Sequence, residues 1–355
     1  MKKTIKLLIY CLIVILIYFN LYFILCILKN IFGLDFPIKE HDATNKFILQ
    51  NNNFFDNIYY KYSITELNKL KDEKYTKSLL TVLPTEIKNL KTITNNYTRP
   101  VVIKGLIKDY KCVKKWNIEY LSKNCGTIRV DGFTKSNNKD FLTDQFRNVQ
   151  VLKNIKFSKA CDMIKNNKGI YINNFHSIFL KCKLLQDDLD LSKLEKLFPI
   201  KYTNTSQLFF GPKGTGTTLH CAMKSNVFFN IKGKKKWTFI DPKYSKYMKG
   251  AISNNGLFVV SKHNYFRDPS ILENIPKYEI VLEEGDVLFN PCWWWHCVEN
   301  LTNYSIGVAN RSDLGFSLIN SNNNIYTWST ILTRPYQIFK LVFIDNPIDT
   351  DVTGK

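Results

Sequence analysis

Two histidines stand in settings that suit metal chemistry. His220 ends the glycine-containing stretch 211–220, and His296 ends the aromatic stretch 285–296. Because 296 − 220 = 76 residues separate them, they can share a site only from neighbouring strands of one sheet. Neutral imidazole is a common ligand of iron, zinc and copper. The pair is therefore a candidate metal site, and the alternative is two ordinary core or surface histidines.

Further motifs surround both histidines. Residues 217–242 contain Thr-x-x-His, then an Asn, Gly-x-Lys-x-Trp and a Pro. Residues 285–310 contain Gly-Asp-x-Leu-x-x-Pro, Trp-Trp-His and a later Asn, and an apolar strand pattern begins upstream at Arg99. In this order the motifs resemble those of the JmjC and cupin-like (asparaginyl-hydroxylase-like) dioxygenases, over residues 99–310.

This resemblance implies a fold and a set of ligands. The fold is a double-stranded β-helix, or jelly roll, that holds Fe(II) and 2-oxoglutarate. By motif position, His220 and His296 are the two histidine ligands of the metal. Lys235 pairs with the distal carboxylate of 2-oxoglutarate, and the Thr217 hydroxyl lies beside it.

Two amides complete the set that the resemblance implies. Asn226 and Asn310 are expected in the cosubstrate pocket, where each donates a hydrogen bond. A buried dianion needs a cation and hydrogen-bond donors around it, so the set is chemically consistent. Position alone does not separate Lys235 from Lys234, whereas the motif does.

Ala222 departs from the family pattern. The family has a carboxylate two residues after the first histidine, which completes a 2-His-1-carboxylate triad, and alanine has no lone pair to donate. Cys221 alternates to the other face of its strand. Glu299 is three residues past His296, where strand alternation also directs it away.

Three interpretations of the site stay open. In the first, two histidines, 2-oxoglutarate and water hold iron, and the protein hydroxylates a protein or small-molecule substrate. In the second, the open position takes a halide, as in non-haem iron halogenases. In the third, the site is inactive and the jelly roll is a binding module with Trp293–Trp295 as core. A further class is a structural membrane protein that only contacts partners, and its binding would survive His220→Ala and Lys235→Ala.

Short apolar runs separated by turn residues predict a mostly β fold, a sandwich or barrel with flanking helices. The predicted strands are 100–105, 207–211, 226–231, 236–240, 278–282, 286–289 and 304–309, and helical patterns lie near 116–122, 158–166 and 192–197. One domain is expected over 86–345, after a stalk with short helices (29–85) and before a tail (346–355).

The N-terminal segment predicts a membrane anchor. Residues 7–28 are 22 residues without a charge, and a helix of that length spans about 33 Å, enough to cross a bilayer. Lysines in residues 1–6 place this tail in the cytoplasm and the domain in the lumen or outside the cell. A cleaved signal peptide is the alternative, which the bulky residues at the end of the segment disfavour. Seven cysteines follow, so at least one thiol is unpaired if disulfides form.

Composition limits the partners. With 355 residues, of which 45% are hydrophobic and 23% charged, the chain is neither disordered nor a polytopic membrane protein. A net charge of +20 suits an anionic surface, but the lysines are scattered and no nucleic-acid motif is present, so nucleic acid is not expected. The expected partners are the membrane and an unknown protein or small-molecule substrate. Histone demethylation is disfavoured, because the predicted topology separates the domain from chromatin.

Overall fold

Two β-sheets make up most of the structure. The computed structural model describes residues 6, 9–14, 75–134, 150–192, 202–248, 250–252, 258–261, 263, 265–266, 272–312 and 326. The strands are β1 (Thr76–Ser78), β2 (Thr81–Val82), β3 (Val101–Ile103), β4 (Arg129–Thr134), β5 (Gln150–Lys156), β6 (Ile170–Phe175), β7 (Tyr202–Pro212), β8 (Gly216–Ala222), β9 (Ser225–Lys232), β10 (Lys235–Ile240), β11 (Gly250–Ile252), β12 (Phe258–Ser261), β13 (Lys277–Leu282), β14 (Val287–Asn290), β15 (Trp295–Asn300) and β16 (Tyr304–Ser312).

From β7 to β10 and from β13 to β16, successive strands alternate between the sheets. Within the described residues, a seven-stranded sheet has the order β1-β13-β10-β15-β8-β12-β11, and a nine-stranded sheet has the order β2-β3-β14-β9-β16-β7-β6-β4-β5. Thus β8, β10, β13 and β15 lie in the first sheet, while β7, β9, β14 and β16 lie in the second. A chain that winds between two facing sheets in this way is a jelly roll. The predicted mostly β fold is confirmed.

Short helices cover the outer side of the nine-stranded sheet. They are α1 (Leu90–Ile93), α2 (Lys111–Lys115), α3 (Ile118–Cys125), α4 (Phe157–Lys165), α5 (Ser177–Lys181) and α6 (Lys183–Leu189). Leu121 of α3 and Phe157 of α4 pack in one buried cluster with Val227 and Phe229 of β9. Because side chains alternate along a strand, Phe228 of the same strand instead faces the interior.

The interior between the sheets has its own packing. The ring of Phe228 on β9 meets that of Trp237 on β10 at 5.0 Å between centroids. These two residues share a buried cluster with Phe239, Leu288 and Ala309. The space beside this cluster is left open, and it forms the cavity described below.

Most predicted elements are present, with two differences. Each predicted strand coincides with an observed one, and α4 matches the 158–166 pattern. The first predicted helix begins later, at Ile118, because Asn117 caps it by accepting from the Tyr120 amide. Residues 76–82, assigned above to the stalk, instead form β1 and β2, which pair in parallel with β13 and β3. The exposed side chains of β1 give no apolar pattern from which to predict it.

The anchor prediction concerns residues that are mostly undescribed. No helix in the described part of the chain is long and apolar enough to cross a membrane. Residues 9–14 are helical and exposed. The rest of segment 7–28, the stalk up to residue 74, positions 193–197 of the third helical pattern, and the C-terminal tail lie outside the described residues.

One disulfide joins two helical segments among the described residues. It links Cys125, at the end of α3, to Cys182, which directly precedes α6. The described cysteines that remain thiols are the exposed Cys11 and the buried Cys112, Cys161, Cys221, Cys292 and Cys297.

Candidate functional site

A cavity of about 320 Å³ lies between the two sheets. Its walls come from β8, β10, β12 and β15 on one side and from β4, β6, β7, β9 and β16 on the other. Of the predicted site residues, the following line it: Thr217, His220, Asn226, Lys235 and His296, together with Ala222. Residues up to 79 positions apart (296 − 217 = 79) therefore meet in one space.

His220 and His296 lie side by side. The two residues are directly paired across β8 and β15, and their ring centroids are 4.2 Å apart. Burial lowers the pKa of His220 to about 4. Burial also lowers the pKa of His296 well below its ordinary value, and the neighbouring His220 lowers it further. Both rings are therefore neutral at physiological pH.

Each histidine is held in the tautomer that a metal ligand needs. Nδ1 of His220 donates to the carbonyl of Thr218 at 2.8 Å, and Nδ1 of His296 donates to the carbonyl of Trp294 at 2.8 Å. With the proton on Nδ1, the lone pair is on Nε2. The Asn290 amide nitrogen is 3.3 Å and 3.4 Å from the two ring nitrogens of His296. Because Nδ1 carries the proton, Nε2 is the ring nitrogen that can accept a hydrogen bond from this amide.

The third ligand position holds no donor. Ala222 lines the cavity beside the histidines, while Cys221 packs in a cluster on the outer face of the sheet and Glu299 is not among the lining residues. No group of three His, Cys, Asp or Glu side chains able to hold a metal occurs in the described ranges. The chain thus offers two neutral nitrogens and no carboxylate. This donor set does not fit a 2-His-1-carboxylate iron centre.

Lys235 is a buried cation in the cavity wall. Its side chain is only 1% exposed, and its ammonium donates to Asn300 Oδ1 at 2.5 Å. The Asn300 amide nitrogen donates in turn to Thr215 Oγ1 at 2.9 Å, which orients the oxygen towards Lys235. Burial lowers the pKa of Lys235 to about 7. In the described part of the chain, no carboxylate lies within ion-pair distance of this ammonium.

A β-bulge brings Thr217 into the site. In a regular strand Thr217 and His220, three residues apart, would face opposite sides. The β8–β15 register shifts here, with His296 opposite His220 but Val298 opposite Thr217, so β8 carries an extra residue and both side chains line the cavity. The Tyr171 hydroxyl from β6 is 3.4 Å from Thr217 Oγ1. Tyr171 is a site residue that the sequence analysis missed.

Only one of the two predicted amides lines the cavity. Asn226 lines the cavity, and its Oδ1 is buried without a hydrogen-bond partner. Asn310 does not line the cavity: its Oδ1 accepts from Ser206 Oγ at 2.8 Å and its Nδ2 donates to the Val227 carbonyl at 3.1 Å. The expected place of Asn310 is therefore corrected.

Arg311 occupies the cavity position on β16. It lies opposite Asn226 of β9 in the register, it lines the cavity, and its Nε donates to Gln207 Oε1 at 3.2 Å. Alternation along β16 explains the difference of one residue, since Arg311 shares a face with Ala309 in the interior, whereas Asn310 shares one with Val308 on the helix side. The alternation of side chains along β16, counted forward from its apolar residues, is the sequence signal that could have identified Arg311.

The tryptophan run is core and not cavity wall. Trp293 and Trp295 pack in the outer cluster, and Trp294 packs in the interior cluster, where its Nε1 donates to the Thr98 carbonyl at 2.8 Å. Trp237 supplies an aromatic wall of the cavity, and its ring stacks on His296 at 5.4 Å and 20°. Phe209 and other rings add to this wall.

The family model for the cupin-like domain matches residues 91–310. This is more than half of the chain, and it contains every described residue of the cavity except Arg311. The chain belongs to the cupin-like domain family. The resemblance seen in the motifs, which extends to JmjC proteins, is thereby confirmed.

Relatives in this family include several enzymes. A tRNA wybutosine-synthesizing protein 5 of Mus musculus is 24% identical over 227 residues, which cover 59% of this chain and 69% of that protein. A lysine-specific demethylase 8 of Xenopus tropicalis is 25% identical, over 57% of this chain and 46% of its own length. A bifunctional arginine demethylase and lysyl-hydroxylase of Caenorhabditis elegans is 26% identical, over 60% of this chain and 55% of its own length.

Proposed function

We propose that the cavity of this domain binds 2-oxoglutarate or a closely related dicarboxylate. The observation that carries the proposal is Lys235, a buried ammonium whose described hydrogen-bond partner is one amide oxygen. A buried charge without a counter-ion costs several kcal/mol. A carboxylate from a ligand would supply the missing charge. Burial lowers the pKa of Lys235, and a bound carboxylate would favour its charged form.

The lining residues support an anionic ligand. The basic residues among them are Lys224, Lys235 and Arg311, and none of the described lining residues is Asp or Glu. The hydroxyls of Thr217 and Tyr171, one from each sheet, lie close together and can donate to a carboxylate. The family resemblance implies this same role for Lys235 and Thr217.

Calorimetric titration of 2-oxoglutarate into the full chain tests the proposal. Lys235→Met removes the charge but keeps the length and apolar stem of the side chain, so we expect affinity to fall by about a hundredfold. Lys236→Met is the matched control, because Lys236 follows directly on β10 and pairs with Glu279 at 3.0 Å on the other face. Equal affinity of the Lys235→Met variant and the control would refute the proposal.

A second candidate function is iron- and 2-oxoglutarate-dependent hydroxylation of a protein or small-molecule substrate. The observation in its favour is the histidine pair, with both Nδ1 atoms fixed by carbonyls. Because Ala222 leaves the third position empty of donors, the metal would need a ligand from outside the chain. An anaerobic Fe(II) titration of the wild type and His220→Ala decides this, since hydroxylation requires tight metal binding that the variant loses.

The location of the domain is also a proposal. The charge pattern of residues 1–28 suggests a single-pass anchor with the domain in the lumen or outside the cell. The disulfide between Cys125 and Cys182 supports such an oxidising compartment. In sealed microsomes, protease should leave the C-terminus intact, and digestion of the C-terminus would overturn this topology.

A further inference from the structure

Arg311 brings a further positive charge to the cavity that His220 and His296 also line. Its charge contributes to the lowered pKa of His220 and of His296, after burial, which is the largest cause. The same guanidinium therefore acts on both rings. It is also held in place, because its Nε donates to the buried Gln207.

Lys235 is distant from the two histidines along the seven-stranded sheet. Lys235 is opposite Asn300 on β15, whereas His220 is opposite His296, four residues earlier on the same strand. At about 3.3 Å per residue, these two register positions are about 13 Å apart between Cα atoms. Lys235 from this sheet and Arg311 from β16 of the facing sheet line the same cavity, so two long side chains can hold the two ends of one small ligand.

The charges balance best without a metal. A divalent cation beside His220 and His296 would meet the repulsion of Arg311, and Ala222 supplies no negative charge to offset it. Among the described lining residues the basic side chains are Lys224, Lys235 and Arg311, and none is acidic. A dicarboxylate brings two negative charges to this lining, whereas a divalent metal ion would add two further positive charges in a poorly solvated space.

We propose that Arg311 takes the place of the metal ion, so that the cavity binds a dicarboxylate between Lys235 and Arg311 in the absence of metal. This inference rests on the proposed function, and it adds the residue that holds the second carboxylate. It also predicts that the ligand does not need a 2-oxo group. A metal is chelated by a 2-oxo group together with its neighbouring carboxylate, whereas two cationic side chains need only the two carboxylates.

The experiment is a calorimetric titration of the full chain with 2-oxoglutarate, first with chelator and then with anaerobic Mn(II). We expect the same affinity in both, within about threefold. We also expect glutarate, which lacks the 2-oxo group, to bind within about threefold of 2-oxoglutarate in chelator. Arg311→Gln should weaken both ligands at least about tenfold, and Arg311→Lys should recover part of this loss.

Arg129→Gln is the matched control, because Arg129 is exposed on β4 and donates to the Asn154 carbonyl outside the cavity. Thermal unfolding of each variant separates loss of binding from loss of fold, and the ratio of 2-oxoglutarate to glutarate affinity is independent of the folded fraction. Binding that requires Mn(II), rejects glutarate and ignores Arg311→Gln would overturn this inference and leave the proposed function standing. Absence of binding in every condition would overturn both.

Discussion

The two ends of the cavity differ in how well their side chains suit the groups proposed to bind there. At one end, Lys235 is oriented by Asn300 next to a wall that carries hydroxyls, which is what a carboxylate needs. At the other end, His220 and His296 have the geometry of metal ligands, but Ala222 lacks the third donor and Arg311 adds a positive charge. The end at Lys235 (the carboxylate half) has the groups that a carboxylate needs, whereas the end at the histidines (the metal half) lacks a donor that a metal needs. One fold can therefore keep its anion-binding half while its metal-binding half changes.

The largest expected effect comes from rebuilding the metal half. The double variant Ala222→Asp/Arg311→Asn supplies a carboxylate and removes the opposing charge, so its Mn(II) affinity should exceed that of the wild type at least about a hundredfold. Electron paramagnetic resonance of titrated Mn(II) measures this. Ala222→Asp alone should gain less, because Arg311 can pair with the new carboxylate.

The control for this variant is Ala222→Asn/Arg311→Asn, which has nearly the same volume but no negative charge. A wild type that already binds Mn(II) as tightly as the aspartate variant would contradict the difference drawn between the two ends.

A smaller effect is expected from pH, and it sharpens the description of the Lys235 end. Burial lowers the pKa of Lys235 to about 7, so below that pH the ammonium is ready to bind a dianion. Above it, binding must take up a proton, and affinity should fall by up to about tenfold per pH unit. The pKa of His220 is about 4 and that of Arg311 about 10, so neither changes charge between about pH 6 and about pH 8.5.

Calorimetry in two buffers of different ionisation enthalpy measures this proton uptake directly. Lys235→Arg stays charged throughout and should give a flat profile. A wild-type profile as flat as that of the arginine variant would contradict the stated role of burial at Lys235.

The smallest expected effect concerns a single hydroxyl. Thr217→Val removes one donor while keeping the shape of the side chain, and should weaken 2-oxoglutarate binding by about three- to tenfold. Thr81→Val is the control, because Thr81 is exposed on β2 and its hydroxyl donates to the Leu79 carbonyl. Unchanged affinity in Thr217→Val would show that the ligand does not reach the bulge of β8.

The sequence was informative where motifs carry the site and where apolar strands are long. The histidine pair, Lys235 and Ala222 follow from the motifs, and strands such as β9 follow from their apolar runs. The alternation rule alone would have placed Thr217 on the wrong face, because a bulge depends on pairing with β15 and leaves no local pattern.

Other features depend on tertiary packing. The choice between Asn310 and Arg311 requires the exact phase of β16 relative to the helix-side core. Tyr171 comes from β6, outside the motifs that carry the resemblance, and only the sheet order places it at Thr217. The run Trp293–Trp295, named above as core in one interpretation, is buried, but its rings pack in two different clusters that only the fold defines.

A crystal structure of the chain grown with 2-oxoglutarate and chelator is the most direct test of the central claim. The account predicts density for a dicarboxylate that spans the cavity, with one carboxylate on Lys235 and the other on Arg311, and no metal between His220 and His296. A ligand that is absent from the cavity at saturating concentration, or one that binds elsewhere on the domain, would contradict it.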